Sequence, residues 1–383
     1  MSAEFIKMIS ELHAERFNVK MAELIQNRTP CGIFFGFDFN PNVAKANVQS
    51  LINAGLNITS VVVISYVQAE QFKDSIEVPV IALENFPSFE GKPEIIFNMD
   101  SIKDTAFVPY FARYGMETIK LMQGDNFPFI IKHLPELYSA YEMLGSDESK
   151  KVFCAAIKGN TTGKISDYRF APEPQYFLNG FLPDAGDVAI DGGAFDGATA
   201  LDFAKCGANV YSFEMDANNY RNCLARLDNV GGGVVLIENM GLSDKESEEN
   251  YYSWGAGSRK NSGGNLTGRF INLDTYVARK NLPRVDYIKL DIEGAELDML
   301  HGAAKTITRC KPKMAVSAYH KPEDLWTLAT YIKSLRSDYE FEFRHYRIDC
   351  ADYTLNNDER SVLRHFELSY FLPTACETVL YCR

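Results

Sequence analysis

Long hydrophobic runs are missing. The 383-residue chain has no stretch of roughly 18 apolar residues, so no segment is expected to span a membrane as a helix. Its beginning, "MSAEFIKMISELHAERF", is amphipathic and mixed in charge, without the continuous apolar region of an export signal. The eight cysteines never form a Cys-x-x-Cys pair, which argues against a zinc ribbon or a thioredoxin-type motif. They read as reduced, mostly buried thiols, and a cytoplasmic location is the expectation. Excess positive charge is also lacking. With 39 Lys and Arg against 51 Asp and Glu the net charge is -12, so neither nucleic acid nor an anionic membrane surface is an expected partner. No internal repeat or low-complexity tract occurs. What remains is an ordinary globular composition, 46% hydrophobic, at a length that suits two domains.

Residues 28–124 alternate short β-branched runs ("CGIFFGFD", "ITSVVVIS", "VPVIAL", "PEIIFNM", "METIKLM") with helical patterns. This predicts a small Rossmann-like α/β domain over 1–124. The first strand ends near Asp38, and its junction "FGFDFNPN" holds one glycine, too few for a dinucleotide loop. Residues 125–187 read as a helical connector, with one helix capped by Ser146 or Asp147 and ending at Gly159. From 188 to 383 the alternation resumes. Five parallel-type strands are followed by two terminal strands without an intervening helix. The expected fold is α/β: a doubly wound, mostly parallel sheet with a terminal antiparallel hairpin.

The stretch "VAIDGGAFDGATALDF" carries the chemistry. Asp191 ends a strand, Gly192 and Gly193 let the backbone turn close to a ligand, and Gly197 permits tight packing at a helix start. A helix N-terminus there would suit a pyrophosphate, but Asp191 and Asp196 place two carboxylates at the mouth. A cofactor with a cationic end, such as S-adenosylmethionine, fits better. Glu214 closes the next strand, 23 positions after Asp191, where an acid can accept hydrogen bonds from ribose hydroxyls. A nicotinamide enzyme would need a less acidic turn and a fuller glycine pattern.

Further on, Asp291, His320 and His345 end three strands expected to share one rim. Removing a hydroxyl proton during transfer to oxygen needs a base, and His320 is the first candidate, since a neutral imidazole accepts a proton near pH 7. A divalent ion held by Asp291, Glu293 and His320 is the open alternative. Lys289, inside the same strand as Asp291, is expected to pair with an acid or reach the site. The polar insertion 243–269, with Tyr251, Tyr252, Trp254, Arg259 and Lys260, is a candidate acceptor loop.

The blocks "AIDGGAFDGATALDF", "YSFEMDANNYRNCL", "ENMGLSD", "DYIKLDIEGAELDMLHGA", "KPKMAVSAYHKPEDLW" and "YEFEFRHY" occur in the order of the FkbM family, which the chain resembles over about residues 165–348. The resemblance implies a class I methyltransferase fold, S-adenosylmethionine as cofactor, and methylation of a hydroxyl on a glycan or small natural product. It implies that Asp191, Gly193, Ala194 and Gly197 lie against the methionine part and that Glu214 meets the ribose; Gly192 and Asp196 are further candidate cofactor-binding residues. Met215 stands where many relatives have proline, flanking adenine, with Asn239 and Met240 on the adenine side. The alternative function is a binding or scaffold protein that kept this fold without catalysis. Association of identical chains stays open.

Overall fold

In the computed structural model, residues 1–37, 40–72, 76–98, 103–121, 126–227, 234–253, 255–349 and 355–383 are described; Asp38 and Trp254 lie outside them. The chain forms two compact units. One comprises residues 1–134, 154–170 and 346–375, the other 135–153, 171–345 and 376–383.

The first unit holds β1 (Cys31–Phe35), β2 (Ile58–Val63), β3 (Val80–Ala82), β4 (Ile95–Asn98) and β5 (Glu117–Lys120). They form one parallel sheet in the order β3-β2-β1-β4-β5. β1 is buried at every residue, as a parallel strand covered on both faces must be. The following helix, Pro41–Asn53, starts where Asn40 accepts the amides of Asn42 and Val43 and where proline fits the first turn. The turn after β1 is filled from within: the Asp104 carboxylate accepts the amides of Gly36 (3.0 Å) and Phe37 (2.9 Å).

The helix expected to end at Gly159 continues from Asp147 to Thr162. Gly159 is there for space. A Cβ on it would lie 2.1 Å from the Tyr168 ring.

The second unit begins its sheet with β6 (Val188–Gly192), β7 (Asn209–Phe213) and β8 (Val235–Glu238). The insertion then forms β9 (Gly241–Leu242), β10 (Ser247–Tyr252), β11 (Arg259–Lys260) and β12 (Leu266–Ile271), a separate sheet of order β11-β10-β12-β9. β13 (Tyr287–Leu290), β14 (Lys313–Ser317) and β15 (Phe341–His345) follow. Residues 346–375 belong to the first unit and carry β16 (Ile348–Asp349), the helix Asn357–His365 and β17 (Phe371–Leu372). β18 (Thr378–Cys382) completes the main sheet, whose order is β15-β18-β14-β13-β6-β7-β8. β18 is antiparallel to both of its neighbours.

The sequence expectation is therefore corrected at the C-terminus. β15 and β18 do pair antiparallel, but a helix intervenes and β18 inserts between β14 and β15. The intervening segment goes elsewhere because Leu355, Leu363, Leu368 and Leu372 bury themselves in a core with Phe34, Phe86, Phe107 and Phe111.

Candidate active site

The site lies at the carboxyl ends of the second unit's parallel strands, where open α/β sheets bind ligands. The turn after β6 is tight. Gly193 has φ +78°, and a Cβ there would stand 1.8 Å from the Asp291 carbonyl oxygen. Its first role is thus to let the ends of β6 and β13 approach. Gly197, at φ +81°, opens the helix Ala198–Lys205.

Five amides around this turn are already taken. Gly193 and Ala194 donate to the Phe213 carbonyl (both 3.0 Å) and Gly197 to the Ala194 carbonyl (2.8 Å). Phe195 donates to Glu214 Oε2 (2.8 Å) and Ala198 to Asp196 Oδ1 (3.0 Å). Asp196 also pairs with Arg226 (2.7 Å), so both of its oxygens are engaged.

Asp191 is fully buried. Its Oδ2 accepts from Ser212 Oγ (3.1 Å) and its Oδ1 faces Lys289 Nζ (3.2 Å). Glu214 is buried at the end of β7, and its Oε1 accepts the Asp216 amide (2.8 Å). Burial pushes its carboxyl up to about 7, against the pull of those backbone donors. Asp216, which pattern reading passed over, caps the helix Ala217–Leu227 through the amides of Asn218 and Asn219. Asn239 ties the next strand end to this corner: its Nδ2 donates to the carbonyls of Glu214 (2.9 Å) and Met215 (3.2 Å). Met215 and Met240 are half-buried beside it.

Asp291 is the hub of the second half of the rim. Tyr176 donates its hydroxyl to Oδ2 (2.8 Å) and Tyr319 to Oδ1 (3.2 Å). Tyr319 also reaches Glu377 Oε1 (3.3 Å), and Gln175 donates to the other Glu377 oxygen. Burial opposes ionisation of Asp291, but Lys289, His320 and the Tyr176 hydroxyl together hold its carboxyl below the ordinary range. At Glu377 the donors Gln175 and Tyr319 and the nearby His320 pull downward but are outweighed. Burial, with Asp291 close by, pushes it up to about 7.

After β13 the chain turns through Glu293 (φ 55°) and Gly294 (φ 93°) into the helix Glu296–Gly302. This returns Glu296 beneath the strand end, where its Oε1 accepts the Ile292 amide (2.9 Å). His320, which follows β14, lies among acids: Nδ1 is 2.9 Å from Glu296, and Nε2 is 3.5 Å from Asp291 and 3.6 Å from Glu293.

Two sequence expectations change here. Burial disfavours the charged imidazole, but the carboxylates of Glu293, Glu296 and Asp291 outweigh it and raise His320 to about 12. This direction favours the protonated ring and disfavours a role as proton acceptor. His345 ends β15 on the same edge of the sheet but stands apart from Asp291, with β18 and β14 between β15 and β13. It is fully buried, its Nδ1 is 2.8 Å from Thr378 Oγ1, and β18 separates β15 from β14. Two strand spacings, about 10 Å, lie between those strands.

Tyr176, Tyr319 and Glu377 were missed. Tyr176 comes from an irregular segment before β6 and adopts φ 66°, a conformation no local pattern announces. Glu377 reaches the rim only because β18 runs antiparallel beside β14. Tyr319 stands next to His320 in the sequence, and that adjacency was a usable signal.

Comparison with known proteins agrees with this architecture. The methyltransferase FkbM domain family model matches residues 191–348. A crystal structure of methyltransferase FkbM from Methylobacillus flagellatus superposes with a TM-score of 0.65 at 18% identity, covering 99% of this chain and 98% of that one. An rRNA methylase from Streptococcus thermophilus (TM-score 0.31, 13% identity, 52% of this chain and 86% of that one) is similar over a smaller part. So is a precorrin-6y C5,15-methyltransferase from Geobacter metallireducens (0.30, 10%, 52% and 80%). No curated protein matches the sequence. The similarity to the methyltransferase FkbM domain thus spans residues 191–348 of the chain.

Proposed function

We propose that the second unit uses S-adenosylmethionine to methylate a hydroxyl group of a glycan or small natural product. The observation that carries the cofactor class is the turn after β6. The amides of Gly193, Ala194, Phe195, Gly197 and Ala198 are all spent on internal partners, two of them carboxylates. A pyrophosphate would find these five donors spent and would face Glu214 and Asp216, whereas a ligand with an ammonium and a sulfonium meets favourable charge. The donor chemistry therefore fits S-adenosylmethionine, which supplies an electrophilic methyl group when bound.

In this reading Gly192, Gly193 and Ala194 give backbone access to the methionine part. Asp191, Asp196 and Gly197 shape the turn rather than touch the ligand. Glu214 accepts from the ribose hydroxyls, and Met215, Asn239 and Met240 flank the adenine. Asp291, through Tyr176 and Tyr319, fixes a polar rim to which an acceptor hydroxyl can hydrogen-bond. Glu377 is the proton acceptor, because a carboxyl poised near neutrality suits general-base work.

The test is a calorimetric titration with S-adenosylmethionine, followed by transfer of its labelled methyl group to a panel of glycans and hydroxylated natural products. Micromolar binding that Glu214→Ala weakens, together with label on oxygen, supports the reading. Absence of binding, or label found only on nitrogen or carbon, overturns it.

A further inference from the structure

We propose that Asp291, Glu296 and His320 bind a divalent transition-metal cation at the carboxyl ends of β13 and β14. These side chains each offer one ligand atom, and the three atoms lie within 4.8 Å of one another. Ligand atoms of one ion stand about 3.1–3.6 Å apart at octahedral to tetrahedral angles when each bond is about 2.2 Å. Closing the site therefore takes side-chain shifts of up to about 1 Å, shared among three side chains.

The coordination capacity is also left unspent. Glu296 is fully buried, yet its Oε2 has no hydrogen-bond partner. Neither ring nitrogen of His320, a side chain only 8% exposed, makes a hydrogen bond of proper geometry despite the acids around it. Buried polar atoms of this kind are costly unless something satisfies them. Local charge points the same way. Asp291, Glu293 and Glu296 surround one imidazole, while Lys289 is committed to Asp191 and to the carbonyls of Gly192 and Gly193. A dication in place of the imidazole proton, released on binding, balances the cluster.

Two carboxylate oxygens and one imidazole nitrogen favour Mn²⁺ or Zn²⁺ over Mg²⁺ and Ca²⁺, which prefer oxygen alone. An ion here stands beside the Asp291 rim and can lower the pKa of an acceptor hydroxyl. That role rests on the methyltransferase reading; the binding itself does not.

The test uses the full chain, stripped with a chelator, and Mn²⁺ alone, read by loss of the free-ion electron paramagnetic resonance signal. One ion per chain should bind, Zn²⁺ should displace it, and excess Mg²⁺ should not. Glu296→Gln and Asp291→Asn should each weaken Mn²⁺ binding at least about tenfold, the effect of losing even an outer-shell partner. Glu246→Gln, in a surface pair with Arg279, should leave it unchanged. Circular dichroism melts check that the variants fold. Should Glu296→Gln unfold, Asp291→Asn on the rim decides. No Mn²⁺ uptake, or uptake undiminished in the folded ligand variants, overturns the proposal, and neither result touches the cofactor titration.

Discussion

The Lys289 ammonium lies 3.2 Å from Asp191 Oδ1, with both side chains shut off from water. The same nitrogen donates to the carbonyls of Gly192 (3.2 Å) and Gly193 (2.6 Å), so one cation fastens the strand end and the glycine turn together. Burial alone would depress the ammonium, yet Asp191 and Asp291 hold its pKa above the ordinary value. Lys289→Met strands the Asp191 charge and should cost about 3–5 kcal/mol in denaturant unfolding, as expected for breaking a buried pair. The double variant Asp191→Asn/Lys289→Met should lose clearly less than the sum of the single changes. Additive losses would mean that the two groups do not interact.

Gly193 and Gly186 separate backbone strain from steric exclusion. Both have positive φ (78° and 86°), but a Cβ on Gly186 meets nothing within 4 Å. Gly186→Ala should cost only the left-handed strain, roughly 1–2 kcal/mol. Gly193→Ala adds a collision with the Asp291 carbonyl and should cost distinctly more, while also displacing the rim. Equal unfolding midpoints for the two variants would contradict this account of the turn.

The pH dependence of stability follows from three acids whose pKa values folding raises. Burial raises Glu214 and Glu377 from 4.5 to about 7 and Asp324 from 3.8 to about 7. Between those values the folded state binds more protons than the unfolded one, so stability falls as pH rises toward 7. Below about 3 all three are protonated in both states and their penalty vanishes; above about 8 it is fully present and constant. Each contributes about 1.4 kcal/mol per pH unit across its window. Measured without ligand, Glu214→Gln should flatten the slope of the melting temperature between pH 5 and 7 and should stabilise the protein at pH 8. A slope unchanged in that variant would remove Glu214 from the explanation.

In the first unit, Asp104 occupies the turn where a Rossmann-type domain would hold a pyrophosphate. A Cβ on Gly36 would lie 1.9 Å from the Asp104 carboxylate, so the group is seated directly against the backbone. NAD and NADP should give no thermal shift with the full chain. Asp104→Ala should destabilise it by about 1.5–3 kcal/mol for each charge-assisted hydrogen bond lost. A shift with either dinucleotide that Asp104→Ala leaves unaltered would show that the turn is not the reason.

Strand and helix alternation and the acids at the ends of β6 and β7 were legible in the sequence by itself. They depend on short-range pattern: β-branched runs, glycines where the chain turns, and charge beside them. Tertiary structure alone decided the rest. β18 reaches its place between β14 and β15 only after an excursion through residues 346–375, and that one placement brings Glu377 to the rim and sets His345 apart from Asp291. Likewise His320 looked like a neutral base from its position after a strand. Its pKa is pulled upward because folding brings Glu293, Glu296 and Asp291 around it. A side chain's charge depends on the field of every group folded against it, and that field exists only once the chain has closed on itself.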